Sequence, residues 1–477
     1  MSEDRSAAVV SAANGATAVS GRLEEPLPAL LYEAHKKIYP RSVTGWFANW
    51  RWVFVWFTQL LYYGLCWLPW NGRQAVLFDL VERKFYIFGL IFWPQDVIYL
   101  ALLLIIAAYG LFLFTAIGGR LFCGYACPQT VYTEIFLWIE EKIEGNRAAR
   151  MKLDQQPVNS RKLALKIAKH GVWVLLAFWT GFTFVGYFTP IKTLSYSVLN
   201  FSLGPWETFW ILFYGFATYG NAGYMREQVC KYMCPYARFQ SVMFDPDTLV
   251  VTYDSERGEP RGARSRKADF RAEGKGECID CSICVQVCPT GIDIRRGLQY
   301  ECIGCSACID ACDGVMDKMQ YPRGLIRYST EHAIEERWGR KEILAHLLRP
   351  RVMIYGAILA FIVVAAGYGI ATRVPLKVDI IRDRNSLSRE AENDLIENSF
   401  QLKIMNVSEH HHAYSISASG LDRVEILHRP SIQIEIPAMK TETVSVDVYV
   451  PSGSGRKGSN RIYFDVKAID DEKISVH

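Results

Sequence analysis

The chain has 477 residues, a formal net charge of +4 and 21% charged residues. A positive excess this slight, spread over that length, leaves no electrostatic footprint for nucleic acid. Half of the residues are hydrophobic, with 13 Trp and 25 Phe, so the position of the long apolar runs decides the architecture.

Residues 2–30 are rich in Ser, Ala, Gly, Glu and Pro without a continuous apolar core. They read as a flexible tail, taken to residue 45, and not as a secretory signal peptide. Five runs free of Asp, Glu, Lys and Arg follow: Trp52 to Gly72, Val97 to Gly119, Gly171 to Ile191, Thr208 to Met225 and Val352 to Thr372. Each is long enough to cross a hydrocarbon layer as a helix. Trp50, Trp52, Trp67, Trp70 and Tyr187 sit near their ends, as interfacial anchors do. The apolar stretch Phe85 to Trp93 is too short to cross and reads as an interfacial or re-entrant element. Cys66, alone inside the first run, reads as a small packing residue.

Basic residues orient the set. Lys36, Lys37, Arg41 and Arg51 precede the first span, a dense group from Arg120 to Lys169 separates the second and third, and Arg349 and Arg351 precede the fifth. The loop between the third and fourth spans offers only Lys192. The positive-inside rule then puts the amino terminus in the cytoplasm, with Arg73, Arg83 and Lys84 dissenting. Five crossings place everything beyond about residue 373 outside the cytoplasmic membrane.

Two matched pairs, Cys123-Gly-Tyr-Ala-Cys127-Pro128 and Cys230-Lys-Tyr-Met-Cys234-Pro235, follow the cytoplasmic ends of the second and fourth spans. If the spans pack together, the four thiols converge at the membrane boundary. Cu(I) or an iron-containing centre suits such a soft donor set, and thiolate redox exchange is a further option. The competing reading is that the spacing marks helix starts, with proline in the first turn and the cysteines merely packed.

A polar segment at 245–275 reads as a linker to a cysteine-rich module at 276–320. There Cys278, Cys281, Cys284 and Cys288 repeat as Cys302, Cys305, Cys308 and Cys312, each set spaced Cys-x2-Cys-x2-Cys-x3-Cys. This is the bacterial two-cluster ferredoxin string, in which the fourth cysteine of each set serves the other cluster. Cluster one accordingly takes Cys278, Cys281, Cys284 and Cys312, and cluster two takes Cys302, Cys305, Cys308 and Cys288. Zinc is a poor fit, since structural sites use separated pairs, and disulfides conflict with a cytoplasmic module. Asp313 stands where proline commonly follows the last cysteine.

Residues 321–350 read as a connector and 351–372 as the fifth membrane helix. Beyond it, period-two segments such as Ser431-Ile-Gln-Ile-Glu-Ile and Thr443-Val-Ser-Val-Asp-Val-Tyr-Val, broken by Pro and Gly turns, predict a β-sandwich over 373–477. His410, His411 and His412 read as a polar turn between strands, copper binding being the weaker alternative, and Met405 and Met439 as core positions. The expected fold is thus an α-helical membrane bundle of five transmembrane helices, four of them within residues 46–244. It carries an inserted two-cluster ferredoxin module and a C-terminal immunoglobulin-like β-sandwich.

The five spans, the segment from Gly119 to Val131 that carries Cys123 and Cys127, the Cys230/Cys234 pair, the double cluster string and the outer β domain together resemble the FixG/RdxA/CcoG family of cytochrome oxidase accessory proteins. The resemblance implies a membrane-bound oxidoreductase of the bacterial inner membrane. It would reduce Cu(II) to Cu(I) during assembly of the cbb-type haem-copper oxidase, with electrons passing from the eight cluster cysteines to a redox or copper-handling group at Cys123, Cys127, Cys230 and Cys234. Implied partners are membrane lipid, oxidase assembly factors or copper chaperones, and an electron donor that is a quinol or a soluble reductant. Two other functions stay open: a quinol-linked conduit to another acceptor, and a non-enzymatic scaffold for oxidase subunits.

Overall fold

A computed structural model describes residues 37–266, 272, 274–346, 348–383, 388–391, 394–421, 423–427, 429–454, 456, 458–471 and 473–477. The expected tail therefore lies outside the described residues as far as residue 36. Its last part, 39–45, is packed: the Arg41 amide donates to the Gln286 carbonyl at 2.9 Å, and Val43 lies against the apolar cluster around Ile303 and Cys305.

The first apolar run has other bounds as a helix than its lack of charge suggests. Helix α1 spans Trp46–Gly64 and so begins six residues earlier, taking in Arg51. It stops short of residue 72 because Asn71 and Gly72 adopt φ of 44° and 77°, closing a hairpin of β1 (Pro69–Trp70) and β2 (Arg73–Gln74). The Phe85 to Trp93 stretch likewise belongs to a sheet, formed by β3 (Val76–Asp79), β4 (Lys84–Ile87) and β5 (Leu90–Phe92).

Among the described residues three helices are long and apolar enough to cross a membrane: Pro94–Gly118, whose α-helical part is α2 (Val97–Gly118), then α5 (Ser160–Val185) and α9 (Pro350–Ala371). Between α2 and α5 lie α3 (Leu121–Tyr125) and α4 (Pro128–Glu144). The fourth expected run forms α6 (Pro205–Thr218), extended by a π-helical segment Tyr219–Met225. Helices α5 and α6 approach closely at Gly181, where a Cβ would stand 2.3 Å from the Ile211 carbonyl oxygen. Tyr99 on α2 donates to the Gly369 carbonyl of α9 at 3.0 Å.

Ionic clamps fix both ends of the α2–α9 pair. At one end the buried Asp96 carboxylate binds Arg373 at 2.6 Å and also Lys377. At the other, Asp245 binds Arg349 at 2.8 Å and Arg351 at 3.1 Å. A third network ties α4 to α5 and the π segment: Glu140 lies 3.5 Å from Lys169 and 2.9 Å from Arg226.

The expected linker and connector both contribute to the module. Helix α7 (Pro235–Met243) leads to β6 (Val250–Tyr253), which pairs antiparallel with β7 (Ile326–Ser329). Val251, Tyr253, Leu325 and Ile326 share one core with Cys278, Cys284, Ile294, Ile309, Val315 and Met316. Helix α8 (Ala307–Met319) carries Cys308 and Cys312 and turns Asp310 toward the membrane bundle. There its carboxylate accepts from the Phe47 and Ala48 amides at 3.2 and 2.7 Å and caps α1, whose own N-cap is Gly45. The module is thereby docked on the bundle, against the mobility that a linker implies.

Beyond α9, two sheets enclose a core of Leu402, Ile404, Tyr414, Ile416, Val446, Val448 and Val466. One sheet runs β12 (Glu425–Ile426), β14 (Thr441–Pro451), β10 (Leu395–Asn406), β8 (Leu376–Arg382), with β9 (Arg389–Ala391) also on β10. The other runs β13 (Ser431–Ile436), β11 (His412–Ser419), β15 (Tyr463–Ala468), β16 (Ser475–Val476). The β3–β5 sheet packs on this sandwich through Leu77, Tyr86, Ile91 and Trp93 against Met405 and Val407, with Met439 beside them.

Candidate metal centres

The two cysteine strings adopt the same backbone path. Asp280 and Ser282 have φ of 53° and 55°, and their counterparts Gly304 and Ser306 have 67° and 61°. Alternating left- and right-handed residues turn successive amides inward and form an anion-binding nest. The amides of Gly304 and Ala307 accordingly favour the thiolates of Cys302 and Cys305.

This path gathers the cysteines around two separate cavities. The first is lined by Cys278, Cys281, Cys284 and Cys312, with Tyr253, Ile279, Ile283, Met316 and Arg295. The second is lined by Cys288, Cys302, Cys305 and Cys308, with Val251, Ile292, Ile303 and Cys284. Each cavity thus combines three cysteines of one string with the last of the other. None of the thirteen cysteines is in a disulfide. Among the described residues no three His, Cys, Asp or Glu converge closely enough for a single metal ion. Thiols spread around an apolar cavity fit a cluster with several irons, each bonded to one cysteine.

Burial pushes the Cys284 thiol up to about 11 and those of Cys302 and Cys312 up to about 12. Iron bound as the thiolate reverses that preference, helped by nearby cations: Arg295 acts on Cys284, Arg120 on Cys302 and Arg51 on Cys305. Asp313 is half-buried and accepts from the Gly324 amide at 2.9 Å. Sequence reasoning missed Tyr253, Arg295 and Arg120, all of which border these thiols.

The second cysteine set is also brought together. Cys127 and Cys234 stand at the N-cap positions of α4 and α7 without a side-chain capping bond, each followed by proline in the first turn, while Cys123 lies in α3 and Cys230 in a π-helical turn Val229–Met233. Burial pushes Cys123 up to about 12, with Cys127 and Cys230 adding to it. Burial likewise pushes Cys230 up to about 11, with Cys127 and Cys234 adding. Cys123 donates to the Gln240 side-chain oxygen at 3.3 Å.

Two of this set pack on the wall of the second cavity. Cys123 and Cys230 pack on Val287, Ile303 and Cys305. At Gly124 a Cβ would stand 2.7 Å from the Gly304 oxygen and 2.9 Å from the Cys305 Cα, so only glycine permits the approach. Arg120, 5% exposed, donates one terminal nitrogen to the Ala237 carbonyl, and among the described residues its Nε has no hydrogen-bond partner.

The histidines are not brought together. His412 is buried with Nδ1 2.7 Å from Asp470, His411 lies 3.8 Å from Glu435, and His410 is exposed. Met405 is fully buried in the core, and Cys66 is likewise fully buried.

Thiol-lined cavities docked on long apolar helices make this a membrane iron–sulfur protein. Residues 225–331 match the family of 4Fe-4S dicluster domains, 100–146 match a 4Fe-4S binding domain, and 366–477 match the Ig-like fold at the C-terminal of FixG. The chain is 37% identical over 450 residues to the nitrogen fixation protein FixG of Rhizobium meliloti, covering 88% of this chain and 85% of that one. It is 37% identical to protein RdxB of Cereibacter sphaeroides over 435 residues, covering 89% and 91%. Protein RdxA of the same organism is 36% identical over 439 residues, again covering 89% and 91%. The chain belongs to the FixG/RdxA family.

Proposed function

We propose that the protein reduces Cu(II) to Cu(I) at the inner membrane, serving assembly of a cbb-type cytochrome c oxidase. In this reading Cys278, Cys281, Cys284 and Cys312 hold one 4Fe-4S cluster, and Cys302, Cys305, Cys308 and Cys288 hold the other. A cluster, when bound, supplies the single electron that Cu(II) requires. The residues of the chain place, shield and tune it: the Ile and Met walls exclude water, and the nests and arginines oppose the negative charge.

The observation that carries this reading is the contact of Cys123 and Cys230, and of Gly124 beside Cys123, with the loop bearing Cys302 and Cys305. An acceptor handled by that group is next to the module. We place the module and the amino terminus in the cytoplasm and the sandwich in the periplasm, following the basic residues. Helix α1, with 19 residues, has a length of about 28 Å, close to the roughly 30 Å of a hydrocarbon core. With the α6–π run it brings the crossings to five.

The test is stopped-flow reoxidation of anaerobically reduced protein in nanodiscs. Cu(II) should restore the visible cluster absorbance in the native protein and fail to do so at the same rate when Cys123, Cys127, Cys230 and Cys234 are serines. Equal rates would reject the assignment. Rapid reduction by quinol without reoxidation by Cu(II) would make the protein a quinol-linked conduit to another acceptor.

A further inference from the structure

We infer that a membrane quinol binds between α1, α4 and the ferredoxin module, with Arg51 and Glu134 holding the oxygens of its ring. The inference rests on the module being an electron carrier, and not on copper being its acceptor.

Two cavities at this junction share Arg51, Glu134, Leu137 and Pro289 in their walls. One adds Trp52 of α1 and Trp138 of α4, with Val287 and Ala307 from the module. The other adds Thr133 of α4, with Ile303 and Cys305 from the module. Their walls thus include Cys305 itself and the residues on either side of Cys288, both of them assigned to the second cluster. A molecule seated beside Arg51 borders that cluster's site.

The side chains facing this space suit a flat ring with polar edges. Helix α1 turns Ala48, Arg51 and Val55 inward, and Arg51 is only 7% exposed. Among the described residues its Nε has no hydrogen-bond partner. The Glu134 carboxylate stands 3.9 Å from an Arg51 terminal nitrogen, outside hydrogen-bonding range. Arg226 and Glu140, by contrast, close to 2.9 Å. A buried donor left open is costly. The open pair offers a guanidinium N–H to one ring oxygen and a carboxylate to accept from a ring hydroxyl. Glu134 and Glu141 in the wall disfavour a phosphate headgroup but not a neutral quinol. Trp52 and Trp138, with ring centroids 6.2 Å apart, supply aromatic surface, and Trp138 is half-exposed, as an interfacial anchor is. Oxidation of the quinol breaks its two O–H bonds. Two electrons leave, one for each cube of the module, and the partly exposed Glu134 takes the two protons in turn and passes them to water.

The test is photolabelling of the oxidised full-length protein in phosphatidylcholine nanodiscs, without copper, by an azido derivative of a short-chain ubiquinone. Peptide mass spectrometry should place the label on α1 or α4, near Trp52 or Trp138, and excess unlabelled ubiquinone should displace it. Arg51→Gln should weaken binding roughly tenfold or more, the loss of one hydrogen bond from a charged donor. Leu137→Trp, which fills space in both cavities without changing charge, should abolish the labelling. Iron content and thermal midpoint identify the folded variants. No displaceable label in the native chain overturns the inference without need of either variant. It is overturned equally by label that both folded variants retain, or by label that phosphatidylglycerol displaces and ubiquinone does not. Because copper is absent throughout, failed Cu(II)-driven reoxidation leaves the quinol site standing. Failed quinone binding leaves copper reduction standing with another donor.

Discussion

Asp310→Ala tests how the module is held against the membrane bundle. The Asp310 carboxylate is 9% exposed and accepts from the Phe47 and Ala48 amides, the latter at 2.7 Å and buried. Helix α1 has no other side-chain cap, because its N-cap is Gly45. Glycine is required there: a Cβ would stand 2.4 Å from the Asp310 carboxyl carbon. Removing a side-chain cap costs about 0.5–2 kcal/mol, and leaving a buried amide unpaired costs about 1–3 kcal/mol. The terms overlap, so about 2–4 kcal/mol is expected for opening this junction, equivalent to roughly 30- to 900-fold in an equilibrium constant. Hydrogen–deuterium exchange in nanodiscs reads it directly as faster exchange at Phe47 and Ala48. Asp310→Asn keeps one acceptor oxygen and should lose about 1 kcal/mol. Unchanged exchange of these two amides in a folded Asp310→Ala protein would refute trans-capping as the tether.

At one end of the α2–α9 pair, Asp96→Ala strands Arg373 and Lys377, both largely buried. A loss of about 3–5 kcal/mol is expected, seen as a lower thermal midpoint and faster proteolysis near residue 373. Arg295→Gln removes a cation that favours charge on Cys284. It should lower the potential of the cluster held by Cys278, Cys281, Cys284 and Cys312 by tens of millivolts, ~59 mV corresponding to a tenfold shift for one electron. Redox titration should find the other module cluster unchanged. The His332–Asp247 pair joins the ends of β6 and β7, and its hydrogen bond to Asp247 raises the imidazole above its usual range. A raised folded value gives stabilisation that is full below about pH 6.5. It is lost as pH rises through the folded value. Exchange of the Val250–Tyr253 amides should therefore accelerate across that window beyond its intrinsic pH dependence, and His332→Gln should abolish the excess.

The long apolar helices and the sandwich were legible because each has a local period. Runs such as Val97 to Gly119 need no partner to declare themselves, and the alternation in Thr443 to Val450 reappears as one strand facing the core. The first run misled because freedom from charge was weighed above turn chemistry. Asn71-Gly72 is a strong hairpin signal and overrides the apolar Leu68-Pro69-Trp70 before it. The start of α1 at Trp46 was invisible for a different reason, since its cap comes from Asp310, 262 residues distant from Ala48. Strand β6 was hidden in a polar segment because Val250–Tyr253 has only four residues and its partner strand begins at Ile326.

The division of cysteines between the two cavities followed from spacing because the strings are short and repeat. Three thiols of a Cys-x2-Cys-x2-Cys string cannot avoid a common centre once the backbone curls. What makes it curl was not legible: Ser282 and Ser306 occupy left-handed conformations that sequence preference assigns to glycine or asparagine. Their cost is accepted where inward amides gain an anion to bind. The same distinction explains the four remaining cysteines. Each pair is visible as a motif, but two cysteines separated by three residues satisfy a helix start as well as a metal. Only the fold shows that Cys123 and Cys230 meet the same apolar wall.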